Sequence, residues 1–318
     1  MDIGRRQFLR MSAAAAMAVS VYGPQVKAAE RNGMPYRELG KTGEQVSLLC
    51  VGGSHIGGGN LSDEEAVALM RTAVDEGVNF FDNAWAYHGG RSEERMGQAL
   101  KDGYRDQVFL MTKSTKRTDE GAQQDLEDSL RRLDVDVIDL WQLHEMVDAD
   151  DPRACYEDGP LDVAIKAQEE GKIRYIGFTG HYQPSTHVEM IERGFEWDSV
   201  QMPLSVMDHH YRSFEQTVLP MALERDIGVI AMKTVGGNPN SILATEDVSA
   251  AECLRYAMNL PVATVCSGMD SMEVLRENLA TAKAFEPMTE EEAEELLSRS
   301  RPHSEDGALE AYKTVWHG

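Results

Sequence analysis

The sequence has few cysteines, few basic residues and no long apolar run. Four cysteines among 318 residues are widely spaced, with neither a Cys-x-x-Cys pair nor a Cys/His metal pattern, so we expect no disulfide scaffold and no metal site. Cys50 and Cys266 lie in apolar runs, where a buried free thiol is the ordinary expectation and a disulfide is the alternative. With 27 glycines and 11 prolines, the chain is neither collagen-like nor of low complexity.

Basic residues are outnumbered by acidic ones. The chain has 31 Lys and Arg against 54 Asp and Glu, for a formal net charge of −23. Such a surface repels phosphate backbones and anionic lipids, so we expect neither nucleic acid nor a membrane surface as a partner. Any anionic ligand must therefore be bound by a few local cations.

The first 29 residues differ from the rest of the chain. Arg5 and Arg6 form a twin-arginine pair, the mildly apolar run Met11–Tyr22 follows, and residues 26–29 contain small side chains. This order predicts an export signal over residues 1–29, recognised by the twin-arginine export machinery, and a periplasmic or other extracytoplasmic location. An amphipathic helix or an unstructured tail is the alternative. The run is too short and too rich in alanine for a stable membrane span, which needs about 20 strongly apolar residues.

Eight short apolar runs alternate with amphipathic helical stretches in the remaining chain. Such runs are typical of parallel strands buried on both faces. Eight strand–helix units predict an α/β fold, a closed (β/α)8 TIM barrel, as a single domain over residues 34–318. A short hairpin over Pro35–Gly43 precedes the barrel and a helical tail begins near Met288. An open doubly wound sheet is the alternative, disfavoured because no Gly-x-Gly-x-x-Gly motif follows the first run. The predicted strands are Val46–Val51, Val78–Asp82, Gln107–Thr112, Val137–Leu143, Ile173–Thr179, Ser199–Leu204, Gly228–Met232 and Ala263–Ser267.

Ionisable residues end three consecutive strands at equal spacing. Asp82, Lys113 and His144 each follow an apolar run and lie 31 residues apart, which is one strand–helix unit. In a closed barrel, these side chains become neighbours at the C-terminal rim, where barrel enzymes build their active sites. Tyr87 follows Asp82 by five residues and is expected in the loop above the same rim.

These four side chains can polarise a carbonyl group and donate a proton to it. The phenol of Tyr87 is a poor acid at neutral pH, but a nearby Lys113 ammonium is expected to lower its pKa. The carboxylate of Asp82 keeps that ammonium charged and aimed, and the imidazole of His144 can orient a carbonyl oxygen. Protein side chains cannot supply hydride, so a nicotinamide cofactor is implied.

The sequence around these positions resembles the aldo/keto reductase family over nearly all of residues 34–287. The most specific match is Phe81–Tyr87, which fits the family pattern D-x-A-x-x-Y, and the surroundings of Lys113 and His144 also match. The resemblance implies that the four rim residues form a catalytic tetrad. It also implies reduction of a small aldehyde or ketone by hydride from NADP(H) or NAD(H).

The resemblance further implies cofactor contacts after several of the later strands. Thr179 and Gln201 match positions that bind the nicotinamide carboxamide, although Gly180 replaces the asparagine that members commonly have. Met232 and Lys233 stand where many members have Tyr-Ser. Met232 would cover a face of the nicotinamide with its thioether, and Lys233 would meet the pyrophosphate.

The adenosine side departs from the family's usual preference for NADP(H). Ser267 and Gly268, followed by Glu277 and Asn278, resemble the pattern of the last strand–helix unit. Members usually bind the 2′-phosphate with Lys or Arg just after the eighth strand, whereas residues 267–274 of this chain contain Asp270, Glu273 and no base, and Arg276 is the only nearby cation of this segment. Because a 2′-phosphate needs charge-assisted donors, we expect weakened NADP preference and use of NAD(H) or of both.

Three parts of the sequence are candidates for the substrate pocket. His55, Trp85 and the tail around Trp316 are candidates for its walls, and surface packing is the alternative for each. The alternative function is a non-catalytic nicotinamide-binding or redox-sensing barrel, because an exported protein meets no obvious pool of reduced nicotinamide.

Overall fold

The computed structural model describes residues 30–157, 159–237 and 241–313. Both the predicted export signal, over residues 1–29, and Trp316 lie outside these ranges. The signal and a pocket role for the tail around Trp316 therefore stay predictions.

The described chain begins with a small antiparallel sheet. Its strands are β1 (Glu30–Arg31), β2 (Met34–Glu38) and β3 (Gln45–Ser47), and the turn between β2 and β3 is a 3-10 helix over Gly40–Thr42. The predicted hairpin is confirmed. The predicted strand Val46–Val51 is instead divided, because its first residues complete this hairpin and only the later ones enter the barrel.

Eight parallel strands close into a barrel, which confirms the predicted (β/α)8 architecture. Each strand pairs with the one before it along the chain, and the last pairs with the first to close the ring. Sequential, right-handed strand–helix–strand connections produce this order. The barrel strands are β4 (Leu49–Gly52), β5 (Phe80–Asp82), β6 (Phe109–Ser114), β7 (Ile138–Leu143), β8 (Ile173–Thr179), β9 (Ser199–Pro203), β10 (Gly228–Met232) and β11 (Thr264–Gly268).

Helices pack outside the barrel and extend past its last strand. Those beginning at Asp63, Ala250 and Glu290 start with a capping box, in which a Ser or Thr side chain and a Glu side chain satisfy otherwise unpaired backbone N–H groups. No helix within the described ranges is long and apolar enough to cross a membrane. The helices are α1 (Gly53–Ile56), α2 (Asp63–Asp75), α3 (Arg91–Ala99), α4 (Asp119–Leu133), α5 (Asp151–Glu157), α6 (Pro160–Glu169), α7 (Pro184–Glu192), α8 (Phe214–Thr217), α9 (Leu219–Glu224), α10 (Ala250–Asn259), α11 (Met272–Lys283) and α12 (Glu290–Ser300).

The barrel interior is apolar at its N-terminal end and polar at its C-terminal end. Phe80 stacks on Phe109 with ring centroids 5.0 Å apart, and Phe109 stacks on Tyr175 at 6.0 Å. Leu39 and Val46 from the hairpin belong to the same buried cluster. Each large side chain buried here stabilises the fold by about 1.5–3 kcal/mol. The apolar filling leaves the C-terminal end, which we call the mouth, for the polar residues.

Candidate active site

The structure brings the four predicted tetrad residues together at the mouth. Asp82 is the last residue of β5, Lys113 is the penultimate residue of β6, and His144 directly follows β7. Tyr87 begins the short 3-10 turn Tyr87–Gly90 in the loop after β5. The carboxyl ends of parallel strands meet at one end of a barrel, which is why residues 31 positions apart become neighbours.

A buried ion pair forms the centre of this group. Lys113 and Asp82 are only 1% and 4% exposed, and Nζ of Lys113 donates to Oδ1 of Asp82 and, at 2.7 Å, to the carbonyl oxygen of Asn83. Oδ2 of Asp82 accepts from Nε2 of Gln201 and from Sγ of Cys266, both at 3.0 Å. Burial lowers the pKa of Lys113, but the adjacent Asp82 carboxylate outweighs it and holds that pKa above its usual value. Lys113 is therefore an ammonium at neutral pH.

Tyr87 lies between this ion pair and His144. Its ring centroid is 5.2 Å from Nζ of Lys113 and 6.0 Å from the His144 ring, with an interplanar angle of 82°. Burial raises the pKa of Tyr87 above its usual value of 10, and the Lys113 ammonium only partly opposes that rise. The sequence predicts a net lowering of this pKa by the ammonium, but removing the phenolate from water has the larger effect and the net shift is upward. Tyr87 thus keeps its proton at neutral pH.

His144 is a neutral imidazole held by its backbone. Burial and the Lys113 ammonium lower the pKa of His144 to about 3. The backbone N–H of His144 donates to the carbonyl oxygen of Ser114 at 2.7 Å, and the backbone carbonyl oxygen of His144 accepts from the Arg117 guanidinium at 2.8 Å. Nδ1 of the ring has no hydrogen-bond partner within the described residues. A neutral imidazole carries one N–H donor and one acceptor, so it can donate to a carbonyl oxygen without carrying charge.

The predicted carboxamide-binding residues lie next to the tetrad. Thr179 and Gln201 are register partners on β8 and β9, and each is 1% exposed. Nε2 of Gln201 donates to Asp82, while its Oε1 is buried without a partner in the part of the chain that the structure describes. An unpaired buried acceptor costs about 1–3 kcal/mol, so Oε1 suits an amide N–H from a ligand. These residues fit the carboxamide of a nicotinamide.

Gly180 follows β8 at the position where the sequence departs from the family pattern. A methyl group added there would lie 2.8 Å from Cε1 of His187 and 2.8 Å from the backbone nitrogen of Met146. Both distances are shorter than normal contacts. The side chain of His187 therefore leaves no room for an asparagine at this position.

Met232 and Lys233 lie at the mouth, as their strand predicts. Met232 is the half-buried last residue of β10, and Lys233 adopts a left-handed backbone with φ +61°. Nζ of Lys233 is 5.4 Å from the ring of Tyr312, which comes from the C-terminal segment. Burial lowers the pKa of Lys233. This conformation is uncommon for a non-glycine residue, and it brings a cation to the rim where an anionic ligand group could be met.

The predicted adenosine-side residues lie at the end of β11 and on α11. Asn278 is buried and its Nδ2 donates to Oγ of Ser267 at 3.0 Å, whereas Glu277 is exposed. Gly268 ends β11, and a methyl group there would lie 2.1 Å from Nδ1 of His55. The His55 ring thus packs directly against Gly268, beside the predicted cofactor residues.

Trp85 lies against α4. Its ring centroid is 5.0 Å from the guanidinium of Arg132 and 5.3 Å from Nζ of Lys116, and its Nε1 donates to Oδ2 of Asp128 at 3.4 Å. His55 packs on β11 instead. These two residues thus contact different elements, and their role as pocket walls stays a prediction.

Two contacts at the mouth are absent from the sequence prediction. One is the hydrogen bond from Cys266 to Asp82, and the other joins Oε1 of Glu145 to Nε2 of His181 at 3.2 Å. Strand alternation indicates only that the side chain of Cys266 points to the face opposite Val265, which packs in the outer core, and it does not indicate Asp82 as the partner. The second depends on loop conformation, including a left-handed Glu145 with φ +54°, which no local pattern indicates.

The structure also bears on the cysteines and on metal binding. Cys50, Cys155, Cys253 and Cys266 are all free thiols. Over the described ranges, no three His, Cys, Asp or Glu side chains cluster as a metal site requires.

The fold and the mouth define a (β/α)8 barrel with a buried Lys–Asp pair, a phenol and a neutral imidazole at one end. The model of the "Aldo/keto reductase family" matches residues 48–243. The chain belongs to the aldo/keto reductase family and is a relative of oxidoreductases.

Individual relatives agree with this assignment. The chain is 26% identical over 313 residues to the uncharacterized oxidoreductase YqkF of Bacillus subtilis, covering 84% of this chain and 97% of the relative. It is 27% identical over 298 residues to L-galactose dehydrogenase of Arabidopsis thaliana, covering 79% and 89%. Among solved structures, the holo form of the aldo-keto reductase AKR11C1 from Bacillus halodurans has the same fold, with a TM-score of 0.69, 24% identity, and coverage of 84% of this chain and 96% of that chain.

Proposed function

We propose that the protein reduces an aldehyde or ketone with NAD(P)H, with Tyr87 as the general acid. The observation that carries the proposal is the arrangement of Tyr87 beside the buried Lys113–Asp82 pair and a neutral His144. A binding protein without chemistry has no need to bury such a pair, because burying two charges costs several kcal/mol per ion before their attraction is counted.

Each side chain has one part in the reaction. A bound nicotinamide would supply hydride to the carbonyl carbon. The neutral ring of His144 donates its N–H to the carbonyl oxygen and orients it. Tyr87 gives its hydroxyl proton to that oxygen as negative charge develops, because the alkoxide is the stronger base. Lys113 stabilises the phenolate left on Tyr87, and Asp82 keeps Lys113 charged and in position.

The test of this function is steady-state oxidation of NADPH and of NADH against a panel of aldehydes and ketones. We expect turnover with at least one carbonyl class. Cofactor binding is measured in parallel by fluorescence titration. Tight binding with no turnover on any carbonyl would contradict the proposal and support a non-catalytic, redox-sensing barrel.

We propose that a bound nicotinamide cofactor contacts residues at and just after the C-terminal ends of β8, β9, β10 and β11, and on α11. The carboxamide would meet Gln201 and Thr179, Met232 would cover the ring, and Lys233 would meet the pyrophosphate. The rest would form the adenosine side: Ser267, Gly268, Glu277 and Asn278.

We propose that NADPH is not strongly preferred over NADH. Asp270 lies just after β11, where its Oδ2 accepts a hydrogen bond from Asn60 at 3.3 Å. The next cation along the chain, Arg276, is exposed on α11. A 2′-phosphate beside Asp270 would meet like charge, whereas a free ribose hydroxyl could donate to it. Dissociation constants for NADPH and NADH at one ionic strength test this. NADPH binding a hundredfold tighter, about 2.7 kcal/mol, would contradict it.

We propose export by the twin-arginine route, supported by the order of Arg5, Arg6, the apolar run and the small residues before position 30. The paired substitution Arg5→Lys with Arg6→Lys keeps the charge and removes the recognised pair. We expect it to retain the protein in the cytoplasm of a twin-arginine-competent host, while the unaltered chain is exported. Equal fractionation of the two would contradict export by this route.

A further inference from the structure

A thiol lies beside the carboxylate of the tetrad. Cys266 is half-buried on β11, and its Sγ is 3.0 Å from Oδ2 of Asp82. Its register partner on β4 is Cys50, which is fully buried, and the Cys50 thiol contacts both the Cys266 thiol and, at 3.6 Å, the carbonyl oxygen of Val51. Of these two adjacent cysteines, Cys266 is the one that donates its side-chain hydrogen bond to Asp82.

We propose that Cys266 is a positioning residue for the reaction: its S–H donates to Oδ2 of Asp82 and keeps Oδ1 directed at Lys113. This inference rests on the proposed function, in which the Asp82–Lys113 pair supports the proton donor. A carboxylate turns readily about its terminal torsion, which has broad minima. Donors on both oxygens restrict that rotation, and hydrogen bonds to a charged acceptor are the strong ones.

The thiol is in the state that can donate. The neighbouring Cys50 thiol, burial and the Asp82 carboxylate together raise the pKa of Cys266 well above its usual value. Cys266 therefore stays protonated throughout the working pH range. A thiolate here would be an acceptor and would repel Asp82.

Gln201, the second donor to Oδ2 of Asp82, is one of the predicted cofactor residues, whereas Cys266 is not. Gln201 donates to Asp82 through Nε2, and its other amide atom, Oε1, is the unpaired acceptor that fits a nicotinamide carboxamide. Gln201 thus joins the ion pair to the predicted cofactor site, whereas Cys266 contacts the ion pair from β11. Removing the Cys266 donor should therefore change the chemical step and leave cofactor affinity unchanged.

The experiment compares Cys266→Ala, which removes the donor, with Cys266→Ser, which keeps one. We expect Cys266→Ala to lower kcat about tenfold, because one charge-assisted hydrogen bond is lost while Gln201 retains the other. The dissociation constant of the cofactor should stay within about twofold, and Cys266→Ser should return kcat to within about threefold of the unaltered protein. The matched control is Cys253→Ala, which removes a fully buried thiol from a separate apolar cluster away from Asp82 and should leave kcat within about twofold.

Two kinetic results would overturn the inference. One is an unchanged kcat in Cys266→Ala. The other is an equal loss in the Ala and Ser variants, accompanied by a lower melting temperature, since that result indicates packing alone. A protein that turns over no carbonyl would refute the proposed function instead.

A spectroscopic readout tests the hydrogen bond without turnover. The S–H stretching band of Cys266 is assigned in the infrared difference spectrum between the unaltered protein and Cys266→Ala. Its frequency should be lower than that of Cys253, because a hydrogen bond to a carboxylate weakens the S–H bond. Asp82→Asn should shift the Cys266 band upward, because an amide is a weaker acceptor than a carboxylate. A Cys266 band that does not respond to Asp82→Asn would overturn the inference, whatever the kinetics.

Discussion

Replacing Asp82 by asparagine should destabilise the fold through Lys113. The substitution keeps the size of the side chain and removes its charge, so an ammonium that is 1% exposed loses its carboxylate. Breaking a buried ion pair in this way typically costs about 3–5 kcal/mol, because one charge stays buried without compensation. We expect a decrease of about that size in the free energy of unfolding at pH 7.

The pH dependence separates this cause from simple packing. In the unaltered protein, the pKa of Lys113 is raised above its unfolded value of about 10.4, so the pair's contribution is present below that pH and is lost as pH rises through the folded pKa. In Asp82→Asn, burial dominates and the pKa of Lys113 should fall below the unfolded value. The unfolded variant then binds more protons than the folded one, so its stability rises with pH. The difference between the two proteins should shrink from pH 7 to pH 10.

Urea unfolding followed by tryptophan fluorescence at both pH values measures this. The matched control is Asp125→Asn, another buried aspartate, whose Oδ2 accepts from Oγ of Ser114 at 2.6 Å. Burial raises the pKa of Asp125 above its usual value, so removing its charge should cost under about 1 kcal/mol. An equal loss of stability in Asp82→Asn and Asp125→Asn at pH 7 would refute the reasoning.

The buried side chains of His144 and His187 and the C-terminal segment give further testable effects. Burial holds the pKa of His144 and of His187 at about 3, so the unfolded chain binds more protons between that pH and about 6.5. The free energy of unfolding should therefore fall as pH decreases below about 6.5, by up to about 1.4 kcal/mol per pH unit for each histidine. The variant His187→Phe should lose about half of this pH dependence, which urea titrations at pH 5 and pH 7 measure. In the structure, Nζ of Lys313 donates to Oδ1 of the buried Asp208 at 2.6 Å. The variant Lys313→Met should leave this carboxylate without its cation. Unfolding should then cost about 3 kcal/mol less, and limited proteolysis should cut the C-terminal segment faster. Lys283→Met, which breaks an exposed pair, should cost under about 1 kcal/mol.

The barrel, and the placement of Asp82, Lys113 and His144 at one end of it, could be predicted because both follow from local patterns. Buried parallel strands appear as short apolar runs, and equal spacing of Asp82, Lys113 and His144 places them on adjacent strands. The predicted strand Val46–Val51 was wrong in extent, because hairpin and barrel residues are equally apolar there. Periodicity cannot show where one sheet ends and the next begins.

The electrostatics of the site could not be predicted in the same way. Proximity of Tyr87 to Lys113 was predictable, but the upward direction of the Tyr87 pKa depends on burial by the whole barrel. The Cys266–Asp82 contact joins residues 184 positions apart and forms only when β11 closes on β4. His55 lies in the short helix α1 and Trp85 in the loop after β5, and their side-chain positions depend on packing against Gly268 and α4, respectively.

The central claim is that Tyr87 donates the proton in carbonyl reduction. The most direct test is kcat of Tyr87→Phe with the best carbonyl found, measured together with the cofactor dissociation constant. The matched control is Tyr175→Phe, whose hydroxyl donates to Glu44, away from the mouth. Tyr87→Phe should lose at least about 10²-fold in kcat, the scale of general acid catalysis, while its cofactor affinity and the kcat of the control variant stay unchanged. A Tyr87→Phe protein that turns over within a few-fold of the unaltered enzyme would contradict this claim.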